Sequence, residues 1–155
     1  MTSLNFEHEF NHLREFSARI GKNPCLVQGA GGNSSIKDNG TMWIKASGTW
    51  LANASEQTLF VPVALNPLLD ALETADPRAE KATDFIVDAH EHQTLRPSIE
   101  TTLHAVMPQQ VVVHVHCVDT IALAIQTTAQ KQLGECLKDF NWLWVPYFRP
   151  GLPLS

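Results

Sequence analysis

The chain has 155 residues, and its 16 acidic and 11 basic side chains give a formal charge of −5. With 44% apolar and 17% charged residues, it can form one sizeable core, and its charge is too low for a disordered chain. The negative charge and the scattered Lys and Arg residues argue against a nucleic-acid partner. No apolar run approaches the roughly 20 residues of a membrane-spanning helix, so we expect no membrane partner.

The first residues, Met1 to Glu9, contain neither the basic start nor the apolar region of a signal peptide. Three cysteines are present, and they form no CxxC pair. An odd number of cysteines argues against a disulfide framework and is typical of a reducing compartment. We therefore expect a cytoplasmic protein.

The first half of the chain predicts a helix, a hairpin and an edge strand. Apolar residues over 4–20 recur mostly at three- and four-residue steps, the period of an amphipathic helix. Asn39-Gly40 between short β-prone runs indicates a hairpin. Leu59–Val63 predicts another strand, and Pro62 places it at a sheet edge because proline cannot donate a ladder hydrogen bond.

The second half predicts helices and two further strands. Asn66 as N-cap begins a short helix, and Ser98 as N-cap begins another, with an apolar face up to Met107. The valine-rich run Gln110–Cys117 predicts the strongest strand. We predict that two helices follow, near 120–125 and 131–140, and then a last strand over Trp142–Tyr147. This order predicts an α/β or α+β domain with a largely antiparallel sheet.

The sequence His114-Val115-His116 is the sharpest local signal. Side chains two apart on a strand share a face, roughly 6.5 to 7 Å apart along the strand, so both imidazoles can reach one metal ion. Neutral imidazole suits zinc and also nickel, copper or iron. The alternative is a strand near the surface with two polar residues on one face. A second pair, His90 and His92, lacks a β-branched context and ranks below the first.

Glu100 and His104 lie one turn apart on the helix predicted before this strand, so they share a face. A helix packed back against the strand could aim Glu100 at the imidazole pair, where a carboxylate near a metal is a reasonable general base. The simpler alternative is that an acid in the first turn is favoured by the helix dipole alone. His104 is interpreted as a structural or surface histidine.

Two glycine-containing turns could bind an anion without a basic cluster. Residues 31–35 and 46–48 offer backbone N–H groups and small hydroxyls. Ser98 could likewise either cap a helix or bind an anion. Neither turn matches a P-loop or a dinucleotide-binding fingerprint, and each could equally be a turn and nothing more.

Four motifs in this order resemble the class II aldolase/adducin family, and together they cover nearly the whole chain. They are Gly32-Asn33-Ser34-Ser35, Lys45-Ala46-Ser47-Gly48, Pro97-Ser98-Ile99-Glu100-Thr101-Thr102-Leu103-His104 and His114-Val115-His116. The resemblance implies a three-layer α/β/α fold around a central, mostly antiparallel sheet, as a single domain over 1–155. Two of the segments, 45–51 and 97–104, are most similar to aldolase modules joined to a short-chain dehydrogenase.

The resemblance also implies a function. Active members are sugar-phosphate aldolases, pentulose-phosphate epimerases and related dehydratases, usually symmetric oligomers with sites between subunits. They bind a divalent metal, usually zinc, through the histidine pair, here His114 and His116, and a third histidine further on. The glutamate at the position of Glu100 accepts and donates the proton. The phosphate or carbonyl end of the substrate would contact Gly32, Asn33, Ser47, Gly48 and Ser98.

The sequence departs from the family pattern in two places. No histidine follows His116, and two imidazoles are one ligand short of a typical catalytic zinc site. Four explanations are open. The chain could be a fragment that lacks its C-terminal part, or Glu100 could supply the third ligand. Alternatively, a neighbouring subunit could supply that ligand, or activity could be lost. A turn at Pro150-Gly151 after the last predicted strand favours a fragment. Ile99 replaces a small polar residue of many relatives, which puts phosphate binding in question.

Two classes of function therefore stay open. One is a metal-dependent lyase acting on a small hydroxy-carbonyl or sugar-phosphate compound through an enediolate, and the other is a non-catalytic, adducin-like interaction domain. Glu100 beside a chelating pair favours the lyase, because a scaffold has no need of either. The missing third histidine favours the interaction domain. Metal content separates the two.

Overall fold

The computed structural model describes residues 3–87 and 94–155, and the side chains of residues 5–87 and 94–155. Its α-helices are α1 (Ser3–Gly21), α2 (Leu65–Glu73), α3 (Thr101–Val106), α4 (Val118–Ala124) and α5 (Ala129–Cys136). Its strands are β1 (Asn33–Asp38), β2 (Thr41–Lys45), β3 (Phe60–Ala64) and β4 (Val111–His114). Among the described residues, no helix is both long and apolar enough to cross a membrane.

The four strands form one sheet in the order β3-β2-β1-β4, and every neighbouring pair is antiparallel. The predicted hairpin is confirmed: Asn39 and Gly40 have positive φ angles of 46° and 78°, as a two-residue turn between twisted strands requires. The predicted position of Pro62 is confirmed too, since β3 lies at the edge of the sheet. The long helix α1 matches the predicted amphipathic helix within a residue at each end.

Helices cover both faces of the sheet. Helix α1 packs on one face, where the buried cluster comprises Leu13, Ala18, Ile36, Ala54, Leu59 and Phe60. Helices α2 and α3 pack on the other face, where the cluster comprises Met42, Ile44, Val63, Leu68, Ala71, Ala79, Phe85 and Ala105. The expected three-layer α/β/α arrangement around an antiparallel sheet is therefore confirmed.

The helix predicted from Ser98 begins instead at Thr101, and Glu100 occupies the N-cap position. Its predicted apolar face is wrong, because Ile99 is 63% exposed and Val106 and Met107 are exposed as well. The helix buries polar side chains that have hydrogen-bond partners: His104 Nδ1 lies 2.8 Å from Ser35 Oγ in β1, Thr101 Oγ1 donates to the Ser98 carbonyl, and Thr102 Oγ1 accepts from Ser155 Oγ. The buried residues of α3 are Thr101, Thr102, His104 and Ala105.

Several other predicted boundaries differ from the structure. Helix α2 begins at Leu65, with Ala64 and not Asn66 as its N-cap. Strand β4 has four residues and ends at His114, so His116 lies beyond it. Residues 142–147 form no strand, because a strand needs a hydrogen-bonding neighbour and none of the described strands pairs with this segment.

Candidate functional site

The turn before α3 brings Glu100 into contact with residues from two neighbouring strands. One carboxylate oxygen, Oε2, accepts hydrogen bonds from Asn33 Nδ2 at 2.6 Å and Ser98 Oγ at 2.9 Å. The other, Oε1, lies 3.5 Å from His114 Nδ1. The structure therefore brings together four of the sequence-predicted site residues, which are 2 to 81 positions apart in the chain.

The contacts of Glu100 control its charge. The hydrogen bond with the His114 ring, supported by those from Ser98 and Asn33, lowers the pKa of Glu100 from 4.5 to about 2, while burial acts in the opposite direction. Glu100 is thus ionised throughout the neutral range. Hydrogen bonds made to the charged form are a common physical cause of such a shift.

Asn33 is the residue on which these contacts converge. It is directly opposite His114 in the β1–β4 ladder, and its Nδ2 also donates to Ser98 Oγ at 3.0 Å. The side chain is 3% exposed, yet its Oδ1 has no hydrogen-bond partner. A buried acceptor without a partner costs about 1–3 kcal/mol, and such atoms are rare in folded proteins.

The imidazoles of His114 and His116 lie side by side, with ring centroids 4.9 Å apart and planes inclined by 63°. Two imidazoles that share one tetrahedral metal at about 2.0–2.1 Å place their centroids roughly 5 Å apart, and the separation of this pair is close to that value. In residues 3–87 and 94–155, no group of three His, Cys, Asp or Glu could hold a metal. The second pair, His90 and His92, lies outside the described residues.

The glycine turn packs against these histidines. A Cβ atom at Gly31 would lie 2.8 Å from His116 Nδ1, and a Cβ atom at Gly32 would lie 3.0 Å from the His114 carbonyl oxygen. Gly32 also has a positive φ of 65°, which favours glycine. Glycine is therefore required at Gly31 by the close approach of His116, and at Gly32 by the positive φ together with the close approach of the His114 carbonyl.

Ser47 and Ser98 line one cavity next to Glu100, with a volume of about 490 Å³. Ser47 N–H donates to the Arg96 carbonyl, which joins the two walls. Gly48 is exposed in the same turn but is not among the lining residues. Three cationic side chains and one anionic side chain also line the cavity: Lys81, Arg96, Arg149 and Glu80.

Among the described residues, Lys45 and His104 are buried titratable residues to which the sequence assigned no role in the site. Lys45 is 2% exposed, and its Nζ donates to the Ala30 carbonyl at 2.9 Å. The sequence could have indicated this burial, because side chains alternate along a strand and Lys45 lies two residues after the partly buried Trp43 in β2. His104 is fully buried with Nδ1 2.8 Å from Ser35 Oγ, and burial lowers its pKa to about 4. The structural interpretation of His104 agrees with this burial.

Comparisons with known proteins agree with the fold and with the motifs. Residues 12–154 match the Class II Aldolase and Adducin N-terminal domain. The chain is 27% identical to the N-terminal class II aldolase domain of a conserved protein from Thermoplasma acidophilum, with a TM-score of 0.73 over 89% of this chain and 68% of that one.

A curated relative from Bacillus subtilis (strain 168), the uncharacterized oxidoreductase YuxG, is 30% identical over 146 residues. The match covers 88% of this chain and 21% of the relative, so the chain spans about a fifth of that protein's length. The family match over most of the chain, the shared fold and the site geometry lead to one conclusion. This chain belongs to the class II aldolase and adducin family.

Proposed function

We propose that this domain is a divalent-metal-dependent aldolase-type lyase, which cleaves or forms a carbon–carbon bond in a small hydroxy-carbonyl or sugar-phosphate substrate through an enediolate. One observation carries the proposal. An ionised Glu100, held by Asn33 and Ser98, lies 3.5 Å from His114, and His114 is paired with a second imidazole of suitable spacing.

Zinc is the metal that we propose, with His114 and His116 as its ligands from this chain. A divalent ion supplies a Lewis acid that stabilises negative charge on the substrate's oxygen atoms. Asn33 and Ser98 hold the carboxylate beside that position, so Glu100 is oriented before a substrate arrives. The unpartnered Oδ1 of Asn33 can accept a hydrogen bond from a substrate hydroxyl.

Glu100 is the proposed proton acceptor and donor. A carboxylate with a pKa of about 2 is ionised but is a weak base at neutral pH. The largest contribution to this low pKa is the hydrogen bond with His114. A divalent ion bound at His114 would also favour the charged form of the neighbouring carboxylate, so Glu100 would stay ionised as the proton acceptor.

The neighbouring cavity supports an anionic substrate. Two arginines and one lysine face it against a single glutamate, in a chain whose formal charge is −5. Ser47 and Ser98 also line the cavity, and Ser98 Oγ donates to Glu100 Oε2 at 2.9 Å. We propose that the phosphate end of the substrate binds here and that its carbonyl end lies at Glu100. The turns that contain Gly32 and Gly48 would shape the two ends of this binding site.

A second candidate function is a non-catalytic, adducin-like interaction domain, and the exposed apolar residues favour it. Helix α4 has no buried residue, and Ile125, Leu143 and Tyr147 are 80%, 89% and 90% exposed. Large exposed apolar surfaces are typical of interfaces between proteins. The same surface also supports a homo-oligomer. An epimerase or dehydratase of the same family would use the same Glu100 and histidine pair.

Metal content and cleavage activity test the proposal together. We expect the purified chain to contain near-stoichiometric zinc by plasma mass spectrometry, and the double variant His114→Ala/His116→Ala to contain none. Glu100→Gln should keep its metal but lose at least about 100-fold in retro-aldol cleavage across a sugar-phosphate panel, the usual scale for a general base.

His8→Ala/His12→Ala serves as a matched control for the histidine variant, because both histidines are exposed on α1 and neither is part of the proposed site. Metal bound equally by the parent chain and the histidine double variant would exclude the site. A parent chain without metal or activity would favour the interaction domain.

A further inference from the structure

His104 is a buried polar residue that takes no part in the proposed chemistry. Its side chain is fully buried, and its Nδ1 lies 2.8 Å from Ser35 Oγ in β1. Its Nε2 has no hydrogen-bond partner among the described residues. Burial lowers the pKa of His104 to about 4, so the ring is uncharged at neutral pH. The polar contact that the structure shows for this ring is thus the one with β1.

Strand β1 makes two successive contacts with the segment that begins α3. Residues two apart on a strand share a face: Asn33 Nδ2 donates to Glu100 Oε2 at 2.6 Å, and Ser35 Oγ bonds to His104. Two residues of an antiparallel strand span about 6.8 Å, and four residues of an α-helix span about 6.0 Å. Because these two lengths are similar, the strand and the helix can hold both contacts at once.

The backbone of α3 connects the two contacts. His104 N–H donates to the Glu100 carbonyl at 3.0 Å, so the histidine and the carboxylate belong to one hydrogen-bonded turn. Helix α3 has six residues, and isolated helices shorter than about 12 residues are marginal in water. The position of α3 therefore depends on its contacts with the rest of the protein, and the bond from His104 to β1 is one of them.

We propose that His104 is a positioning residue for Glu100. Through Ser35 it fixes α3 on β1, and it thereby holds the carboxylate in its contact with Asn33. The part of this inference that concerns catalysis rests on the proposed function. Without the bond to Ser35, α3 loses its second attachment to β1, and the carboxylate can shift with the turn. A misplacement of about 1 Å can cost on the order of 100-fold in rate.

Ser35→Ala tests this proposal by the removal of one hydroxyl, and Ser34→Ala is its matched control. Both serines are fully buried, but Ser34 faces the other side of β1, where its Oγ lies 2.7 Å from Ser17 Oγ in α1. In the metal-free parent chain, we expect NMR to show a side-chain amide proton of Asn33 shifted downfield by its charged acceptor. Ser35→Ala and His104→Leu should reduce this shift, whereas Ser34→Ala should not.

A conservative variant and the kinetics extend the test. His104→Asn should recover part of the amide shift, because the asparagine amide can take the place of Nδ1 and bond to Ser35. If the proposed function holds, Ser35→Ala should also lower kcat for retro-aldol cleavage about 10-fold or more, with a smaller change in KM.

The amide shift separates this inference from the proposed function, because it requires neither metal nor activity. A shift that is reduced in Ser35→Ala, in a parent chain that cleaves no substrate, would support the positioning role and contradict the lyase. If His104→Leu does not fold, Ser35→Ala and His104→Asn decide the outcome. A parent chain without the downfield shift, or a shift that Ser35→Ala and Ser34→Ala change equally, would overturn the proposal.

Discussion

At the scale of single residues, a small number of polar contacts organise the site. Asn33 donates to Glu100 and Ser98 and lies opposite His114 in the sheet. These contacts join β1, β4 and the turn before α3, so the position of Glu100 does not depend on the short helix alone. Charge-assisted hydrogen bonds of this kind are about twice as strong as neutral ones, and they orient the carboxylate in the absence of a ligand.

His104 makes the stability of the domain depend on pH. Its pKa is about 4 in the folded protein, against an ordinary value of 6.5, because burial disfavours the charged form. The unfolded chain therefore binds the proton first as the pH falls, so the contribution of His104 is complete above pH 6.5 and is lost between 6.5 and about 4. At roughly 1.4 kcal/mol per unit, the full loss is about 3 kcal/mol.

We expect the urea midpoint of the parent chain to fall between pH 7 and pH 4 more steeply than that of His104→Gln, in which glutamine can still bond to Ser35. Glu100, whose pKa is also lowered, contributes in the same direction below about pH 4.5 in both proteins. Parallel pH profiles for the parent and the variant would contradict the assignment of the effect to His104.

At the scale of elements, the hairpin between β1 and β2 depends on its turn. Gly40 has a φ of 78°, and a side chain at this angle costs roughly 1–2 kcal/mol because Cβ approaches the following carbonyl oxygen. An added Cβ atom would meet only the Asn66 side chain, at 3.2 Å, and that side chain can move. The cost at Gly40 is therefore mainly backbone strain.

We expect Gly40→Ala to lower the free energy of unfolding by roughly 1–2 kcal/mol, measured by urea denaturation. Gly134→Ala is the matched control: Gly134 lies in α5, and its added Cβ atom would be 3.5 Å from Trp142, an ordinary contact. Alanine there should stabilise the protein by up to about 1 kcal/mol. If Gly40→Ala and Gly134→Ala changed the free energy of unfolding in the same direction, this explanation of the turn would be wrong.

At the scale of the whole molecule, the two-sided core contrasts with the exposed segment 140–148. The buried clusters involve α1, α2, α3 and the sheet, whereas the segment 140–148 carries Leu143 at 89% and Tyr147 at 90% exposure. Apolar residues in such positions contribute little to the stability of an isolated domain. They are available for contact with another protein surface, which is the basis of the proposed oligomer.

Leu143→Asp and Tyr147→Asp together should leave the free energy of unfolding of the isolated domain within about 0.5 kcal/mol per substitution. They should shift the molecular mass found by sedimentation toward that of the monomer, because charges are disfavoured at the centre of an interface. Trp50→Asp, at a position 57% exposed outside this segment, is the control. An unchanged mass in the double variant would exclude the segment from the interface.

The sequence alone determined the features that depend on local periodicity and local sterics. The amphipathic period predicted α1, Asn39-Gly40 predicted the hairpin, and Pro62 predicted the edge strand, because each signal acts through neighbours along the chain. The family motifs predicted the layered fold and named the candidate site residues.

Only the tertiary structure decided which side chains meet and which segments find a partner. Residues 142–147 have strand-forming side chains but no strand neighbour among the described residues. Helix α3 buries threonine and histidine because their polar atoms find hydrogen-bond partners in Ser98, Ser155 and Ser35. Asn33 and Glu100 are 67 positions apart, and Lys45 reaches Ala30 through the interior. Hydrogen bonding and burial are satisfied by neighbours in space, and the sequence does not state which residues those are.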